Sequence, residues 1–172
     1  MELISTERRN ELIDSASLIL KLELRDAYAV DAVLLDAWRA GDPQGVVSSF
    51  VESWADGVRE DFERGQRTRR IRVVSEPLSE YQRYLFDVQT PAVEAGEDIR
   101  WLPRRLTSSL LLPGNDMFVL DGDCLVFNVL GGDNQRAEIQ FSDDPAMVKS
   151  CRDAFEAAWS VSIRHREYRP TP

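Results

Sequence analysis

Between Gly65 and Tyr84 the chain closes a helix at a glycine, alternates Arg with aliphatic residues from Arg69 to Val74, breaks at Pro77 and restarts with Ser79 as a helix cap. Alternation with period two is the mark of a strand, because successive side chains point to opposite faces. Ile71 and Val73 then share one face, while Arg70, Arg72 and Val74 share the other. A second short run, Ile99–Leu102, follows a helical segment that carries Tyr81, Tyr84, Leu85 and Val88 at helical spacing. Strand, helix, strand predicts a right-handed crossover joining a parallel pair.

The flanking segments extend this unit on both sides. Upstream, Ser5 or Thr6 caps a first helix expected over residues 5–20, and Leu20-Lys-Leu-Glu-Leu-Arg-Asp26 alternates as a strand or an extended arm. Asp31 to Ala40 reads as a short helix. Asp42-Pro43 then opens the clearest amphipathic helix, with Val46, Val47, Phe50, Val51, Trp54, Val58 and Phe62 at a three-to-four spacing up to Gly65. Downstream, Met117–Leu120, Cys124–Leu130 and Ala137–Phe141 read as a meander, with Asp121-Gly122 as its first hairpin turn. Asp144-Pro145 starts the last helix, which buries Val148, Cys151, Phe155, Ala158 and Trp159. The fold class expected is α/β (α+β): a mixed sheet of about five to six strands covered by helices. Residues 1–45 are expected as an N-terminal helical extension packed on the core, 46–164 as the α/β domain, and 165–172 as a polar, frayed tail.

The net charge is −9, unevenly distributed. Residues 64–105 carry nine basic and six acidic side chains, whereas the segments on either side are acidic. An acidic chain is repelled by nucleic acid and by anionic membrane, so any basic site must be local. The local candidates are Arg70 and Arg72 on one strand and Arg100, Arg104 and Arg105 on its neighbour or the exit from it; parallel pairing would bring them into one patch suited to a carboxylate or a phosphate. Pairing with carboxylates of the same chain is the competing and favoured reading. Cys124 and Cys151 read as buried thiols, and with a single histidine they do not make a metal set. Nothing implies a cofactor. No apolar run is long enough to span a bilayer, and the N-terminus lacks the pattern of a leader, so a cytoplasmic location is expected. His165 stands between two arginines with no orienting acid specified, which favours a structural or exposed role. Trp38, Trp54, Trp101 and Trp159 read as core.

Several strings resemble an actinobacterial family known as domain of unknown function 6879. They include Leu22-Glu-Leu-Arg-Asp-Ala-Tyr28, Arg72-Val-Val-Ser-Glu-Pro-Leu-Ser79, Ala95-Gly-Glu-Asp-Ile-Arg-Trp-Leu-Pro-Arg104 and Leu112-Pro-Gly-Asn-Asp116. So do Ala154-Phe-Glu-Ala-Ala-Trp159 and His165-Arg-Glu-Tyr168. That resemblance implies a regulatory setting beside helix-turn-helix proteins and small partners, with no established reaction. At the level of fold, the basic strand, the Ile99–Leu102 strand and Met117–Asp123 look like half of a phospholipase D-type domain. Chemistry of that type needs His-x-Lys-x4-Asp. With Asp121 as the motif Asp, the His position is Gly114 and the Lys position is Asp116, so the resemblance implies the fold without the activity. Halves of that type pair across their clefts, which makes a homodimer compatible with the resemblance, although no residue specifies one.

The function expected is therefore a non-catalytic, cytoplasmic regulatory protein that binds a protein partner, such as a helix-turn-helix regulator, and meets nucleic acid only through it. The alternatives are a phosphodiester- or nucleic-acid-binding protein and a small-ligand sensor, each using the relict cleft. A pocket lined by Trp101, Asp116 and the arginines would favour the sensor.

Overall fold

A computed structural model describes residues 1–171. It contains one eight-stranded sheet: β1 (Glu2–Leu3), β2 (Leu18–Glu23), β3 (Arg67–Val74), β4 (Asp98–Pro103), β5 (Asp116–Leu120), β6 (Cys124–Leu130), β7 (Arg136–Ser142) and β8 (Ile163–Arg164). The order across the sheet is β1-β7-β6-β5-β2-β3-β4-β8. Strands β2, β3 and β4 run parallel, and every other pairing is antiparallel. The helices are α1 (Thr6–Ser15), α2 (Ala32–Arg39), α3 (Val46–Glu63), α4 (Glu80–Val88), α5 (Thr90–Ala95) and α6 (Pro145–Val161). The expected mixed sheet under helices is the fold observed, enlarged by β2 and by the short edge strands β1 and β8.

The period-two run after residue 18 is no arm. β2 lies in the middle of the sheet between β3 and β5, so the boundary expected at residue 45 does not separate two structural units. The first helix accordingly stops at Ser15, and Ile19 and Leu20 are strand core. The hydroxyl of Ser5 caps α1 by accepting from the Arg8 N–H at 3.2 Å. The α3 start is capped from a distance: Asp42 sits four residues before Val46, and its carboxylate accepts from the Val47 and Ser48 N–H groups, both at 2.9 Å. Asp144 caps α6 as expected, accepting from Met147 N–H at 2.9 Å.

The two faces of the sheet differ in chemistry. One carries Leu20, Leu22, Ile71, Val73, Leu102, Met117 and Val119, and α6 covers it with Val148, Phe155 and Ala158. On the other face α1 covers one end with Leu12 and Ile13 against Phe118, Val126 and Ile139. The α2–α5 group covers the other end, packing Leu78, Tyr81, Tyr84 and Leu85 on Val74 and Trp101. Close approach of α5 to α3 needs a glycine: Gly96 has φ 129°, and a Cβ there would lie 2.5 Å from the Phe62 ring. The cleft described below opens on this face between α1 and α3, with Arg9 of α1 and Phe50 and Trp54 of α3 among its lining residues.

The Ser75–Ser79 turn knots three chain segments together. The Asp26 carboxylate, just past β2, accepts from the Ser75 N–H at 2.8 Å and its hydroxyl at 2.6 Å. The Ser79 hydroxyl donates to the Asp26 carbonyl and accepts from the Gln82 N–H, which caps α4. The Glu76 carboxylate accepts from the Tyr168 hydroxyl at 2.8 Å and from Arg105 Nε at 3.2 Å. The role of this motif is thus to join the end of β2, the exit of β4 and the C-terminal segment.

That C-terminal segment is not a frayed tail. His165 and Tyr168 are buried, and Tyr168 stacks on Trp101 with ring centroids 5.4 Å apart and 9° between planes. The reason lies in alternate polarity: Arg164, Arg166 and Glu167 look polar in sequence, while Ile163, His165 and Tyr168 point inward. Trp101 Nε1–H donates to His165 Nδ1 at 3.0 Å, so the neutral imidazole carries its proton on Nε2, 3.1 Å from the Thr90 hydroxyl.

Candidate functional site

A cleft of about 780 Å³ opens on the polar face of the sheet. Its floor is built by register. Lys21 pairs with Arg70 and Glu23 with Arg72 across β2 and β3. Lys21 pairs with Phe118 across β2 and β5, and Asp116 pairs with Asn128 across β5 and β6. Because side chains alternate, these residues from four strands all project into one hollow. Tyr28, Asp31, Phe50, Trp54, Tyr81 and Tyr84 form one wall, and Arg9 and Arg136 reach the rim from α1 and β7.

Glu23 is the hub of the charges. Its carboxylate lies 2.8 Å from Lys21 Nζ, 2.5 Å from Arg72 Nη1 and 3.4 Å from Arg70 Nη1. Burial pushes its pKa up, but Arg72, Lys21 and Arg70 together outweigh this and hold it well below the carboxylate range. Arg70 also donates from Nε to Glu97 at 2.5 Å. Burial acts to lower the Arg70 pKa, and Glu97 and Glu23 more than reverse that. Lys21 goes the other way: burial, reinforced by the neighbouring Arg70, lowers it.

Asp116 sits at the opposite edge of the floor. It accepts from the Leu24 N–H at 2.8 Å and from the Tyr28 hydroxyl at 2.5 Å. Burial raises its pKa to about 6, with the Tyr28 bond pulling the other way. Burial also drives the Tyr28 phenol far above its ordinary value, so the hydroxyl remains a donor throughout the working pH range. Asp31 holds the Tyr81 hydroxyl at 2.5 Å in the same manner. Tyr84, pushed by burial to about 12, has no partner for its hydroxyl. Arg72 Nε and Asn128 Oδ1 also lack partners. Arg9 Nε lacks one too, and Glu23 Oε2 has only its ion pair with Arg72; buried polar atoms are normally satisfied, so unmatched ones on this many residues lining a single hollow mark a place for a ligand.

The five arginines expected to form one patch are split three ways. Arg70 and Arg72 lie on the cleft floor. Arg100 aligns with Ile71 and not with Arg70 or Arg72, so it projects from the opposite face, where its guanidinium lies 3.8 Å from the Trp159 ring centroid. Parallel register, unknown from sequence, decides this by a single residue. Arg104 and Arg105 stand beyond the end of β4: Arg104 donates to the Leu24 carbonyl at 2.7 Å, and Arg105 pairs with Glu76. Among the pocket residues expected, Asp116 lines the cleft and Trp101 does not; Trp101 is sealed beneath Tyr168 and His165. Trp54, expected in the core, stands on the cleft wall. Gly114 lies outside the cleft, beside Arg104 and Pro113. Asp121 is a structural acid, accepting from the Ser17 and Leu18 N–H groups at 2.9 and 2.7 Å.

Sequence reasoning missed Lys21, Glu23, Tyr28, Tyr81, Tyr84 and Asn128. The signal for the first two was present: in Leu20-Lys-Leu-Glu-Leu24, leucines on one face and two opposite charges on the other describe a central strand over a polar site. Among the described residues no cluster of His, Cys, Asp and Glu is arranged to hold a metal ion. Cys151 is buried and Cys124 half-buried, both free. Among the described residues no helix is long and apolar enough to cross a membrane.

Two of the buried titratable groups, Asp116 and His165, give opposite pH signatures. The Asp116 pKa is raised on folding, so between about 4 and 6 the folded state binds more protons and stability falls as pH rises. His165 is lowered, by burial and by Arg72, so below about 6.5 the unfolded state binds more protons and stability falls as pH drops. Denaturant titrations at pH 7 and pH 5 should separate them. Asp116→Asn should lose more stability on acidification from pH 7 to pH 5 than the parent by about 1 kcal/mol. His165→Gln, which keeps an acceptor for Trp101, should gain relative to it. Parallel profiles for all three proteins would contradict the assignment.

No curated protein matches the chain. Among solved structures, NucT from Helicobacter pylori superposes with a TM-score of 0.49 at 11% identity, covering 95% of this chain and 96% of that one. The model of the family described as "Domain of unknown function (DUF6879)" matches residues 7–170, and the chain belongs to that family.

Proposed function

We propose that this protein is a non-catalytic ligand-binding module, a sensor that holds a small molecule in the cleft over β2, β3, β5 and β6. The observation that carries the reading is the set of unmatched buried atoms, Arg9 Nε, Arg72 Nε, Tyr84 Oη and Asn128 Oδ1, on residues lining a hollow of about 780 Å³. A ligand offering one donor and three acceptors would complete them. The size matches that of sites for small molecules and cofactors. The polar side chains facing the hollow include five cations, three phenols and three partnered carboxylates, and His165, the only histidine, lies outside it against Trp101. The regulatory setting implied by the family resemblance gives such a site a use: occupancy changes what a helix-turn-helix partner meets on the surface.

Native mass spectrometry tests the reading. Protein incubated with a metabolite extract of its host should retain one small molecule per chain. Tyr84→Phe, which deletes only an unpartnered hydroxyl, should weaken retention several-fold without lowering stability. No adduct on the parent protein, or equal retention by the variant, would sink the proposal.

A further inference from the structure

Arg9 and Arg136 stand at the rim of the cleft without a carboxylate partner among the described residues. They come from opposite ends of the chain. Arg9 is half-buried on α1, its guanidinium 5.0 Å from the Phe118 ring centroid, and its Nη1 donates to the Asn10 side chain at 3.0 Å. Arg136 opens β7 and donates from Nη2 to the Thr6 hydroxyl at 3.2 Å. Arg9 Nε is buried with no acceptor. Thr6, which Arg136 touches, lies one turn before Arg9 on α1, so the two arginines reach the same end of the cleft; burial lowers the Arg9 pKa, and the charge of Arg136 lowers it further. In a chain with net charge −9, carboxylates are plentiful, yet none neutralises this pair.

Deeper in, every cleft carboxylate is already engaged. Glu23 is held by three cations, Asp31 by Tyr81, and Asp116 by Tyr28 and the Leu24 N–H. The lining thus has spare donors and no spare anion. The same cleft is lined by apolar side chains left open to solvent: Val30 at 87% exposure and Phe50 at 39%, the latter next to Trp54 with ring centroids 6.1 Å apart. Two adjacent guanidinium groups suit the planar, bidentate recognition of an oxyanion, and an exposed aromatic edge suits an apolar or aromatic body.

We infer that the ligand of this cleft is an oxyanion carried on an aromatic or apolar body, with its phosphoryl or carboxylate group between Arg9 and Arg136 and its body against Phe50 and Trp54. This rests on the proposal that the cleft binds a small molecule, and adds its chemical class. Three probes of similar size separate the contributions: phenyl phosphate, benzoate and benzyl alcohol. Titration followed by amide chemical shifts of the full chain should show at least one of the two anions binding ten-fold or more tightly than the alcohol. Which anion wins distinguishes a phosphoryl from a carboxylate ligand. The double variant Arg9→Gln, Arg136→Gln should erase that preference and leave the alcohol unchanged. Both positions are at the rim, and circular dichroism of the variant should match the parent. Equal affinities for all three probes, no binding of either anion, or an anion preference that survives the double variant would each overturn the inference. Retention of a neutral molecule in the mass-spectrometric experiment would overturn it too, while sustaining the binding function itself.

Discussion

Glu23→Gln should destabilise the protein by about 3–5 kcal/mol, a large fraction of the stability of a domain this size. The carboxylate is buried and sits within 3.4 Å of Lys21, Arg70 and Arg72. Replacing it with a neutral amide leaves three cations facing one another with only Glu97 still paired, to Arg70. In low dielectric the cost of an uncompensated charge exceeds the worth of the bond removed. A double variant separates the two: Arg72→Met in the Glu23→Gln background removes the cation left most exposed to repulsion and should recover part of the loss. Urea titrations of the four members of this cycle measure the coupling. A Glu23→Gln loss below about 1 kcal/mol would mean that the charges are solvated through the cleft and not buried. The pH dependence has a fixed sign as well. Glu23 has a lowered pKa in the folded state, so its contribution is present above the ordinary carboxylate value and drains away as pH falls through the folded one.

The same charge cluster marks the limit of what the sequence discloses. Elements with strong periodicity were legible: α3 with its apolar stripe, the Asp121-Gly122 hairpin and the Asp144 cap all follow from local chemistry. The parallel pairing of β3 with β4 was legible too, because a strand-helix-strand order leaves few alternatives. What was not legible is which residue of one strand lies beside which residue of another. Arg70 and Arg72 face Glu23 through the register of β2 on β3, and Arg100 leaves the group through the register of β4. A shift of one residue would turn Arg100 onto the sheet face of Arg70 and Arg72 in place of Trp101, and nothing within either strand encodes that choice. The cleft itself arises from a space between α1 and α3, which is a property of how two helical groups are docked on a sheet. Asn128 and Tyr84 carry no sequence mark of function; only their unmatched buried atoms give them away.

Tyr168→Ala should cost about 3–5 kcal/mol, the range for emptying a buried aromatic site. A polar tail would show almost no effect, so this substitution separates the observed packing from the frayed end that composition suggests. Tyr168 is fully buried, stacks on Trp101, and meets Phe86 edge-on at 5.9 Å. Its removal opens a void against Trp101, the largest of the fully buried side chains, and frees one edge of Phe86. Trp101 emission should therefore shift to the red, and the equilibrium unfolding midpoint should fall in step. Tyr168→Phe tests the hydroxyl separately. It keeps the stack and deletes the 2.8 Å bond to Glu76, whose carboxylate retains Arg105, and should cost about 1 kcal/mol. Burial pushes Glu76 up, but the Tyr168 bond, the Thr171 N–H and Arg105 together outweigh it and hold the carboxyl below its usual range. Loss of that bond should move the Glu76 titration upward, a change that NMR of the side-chain carboxyl reads directly. If Tyr168→Phe costs as much as Tyr168→Ala, the hydroxyl and not the stack anchors the C-terminal segment; if both are neutral, residues 163–171 do not belong to the cooperative core.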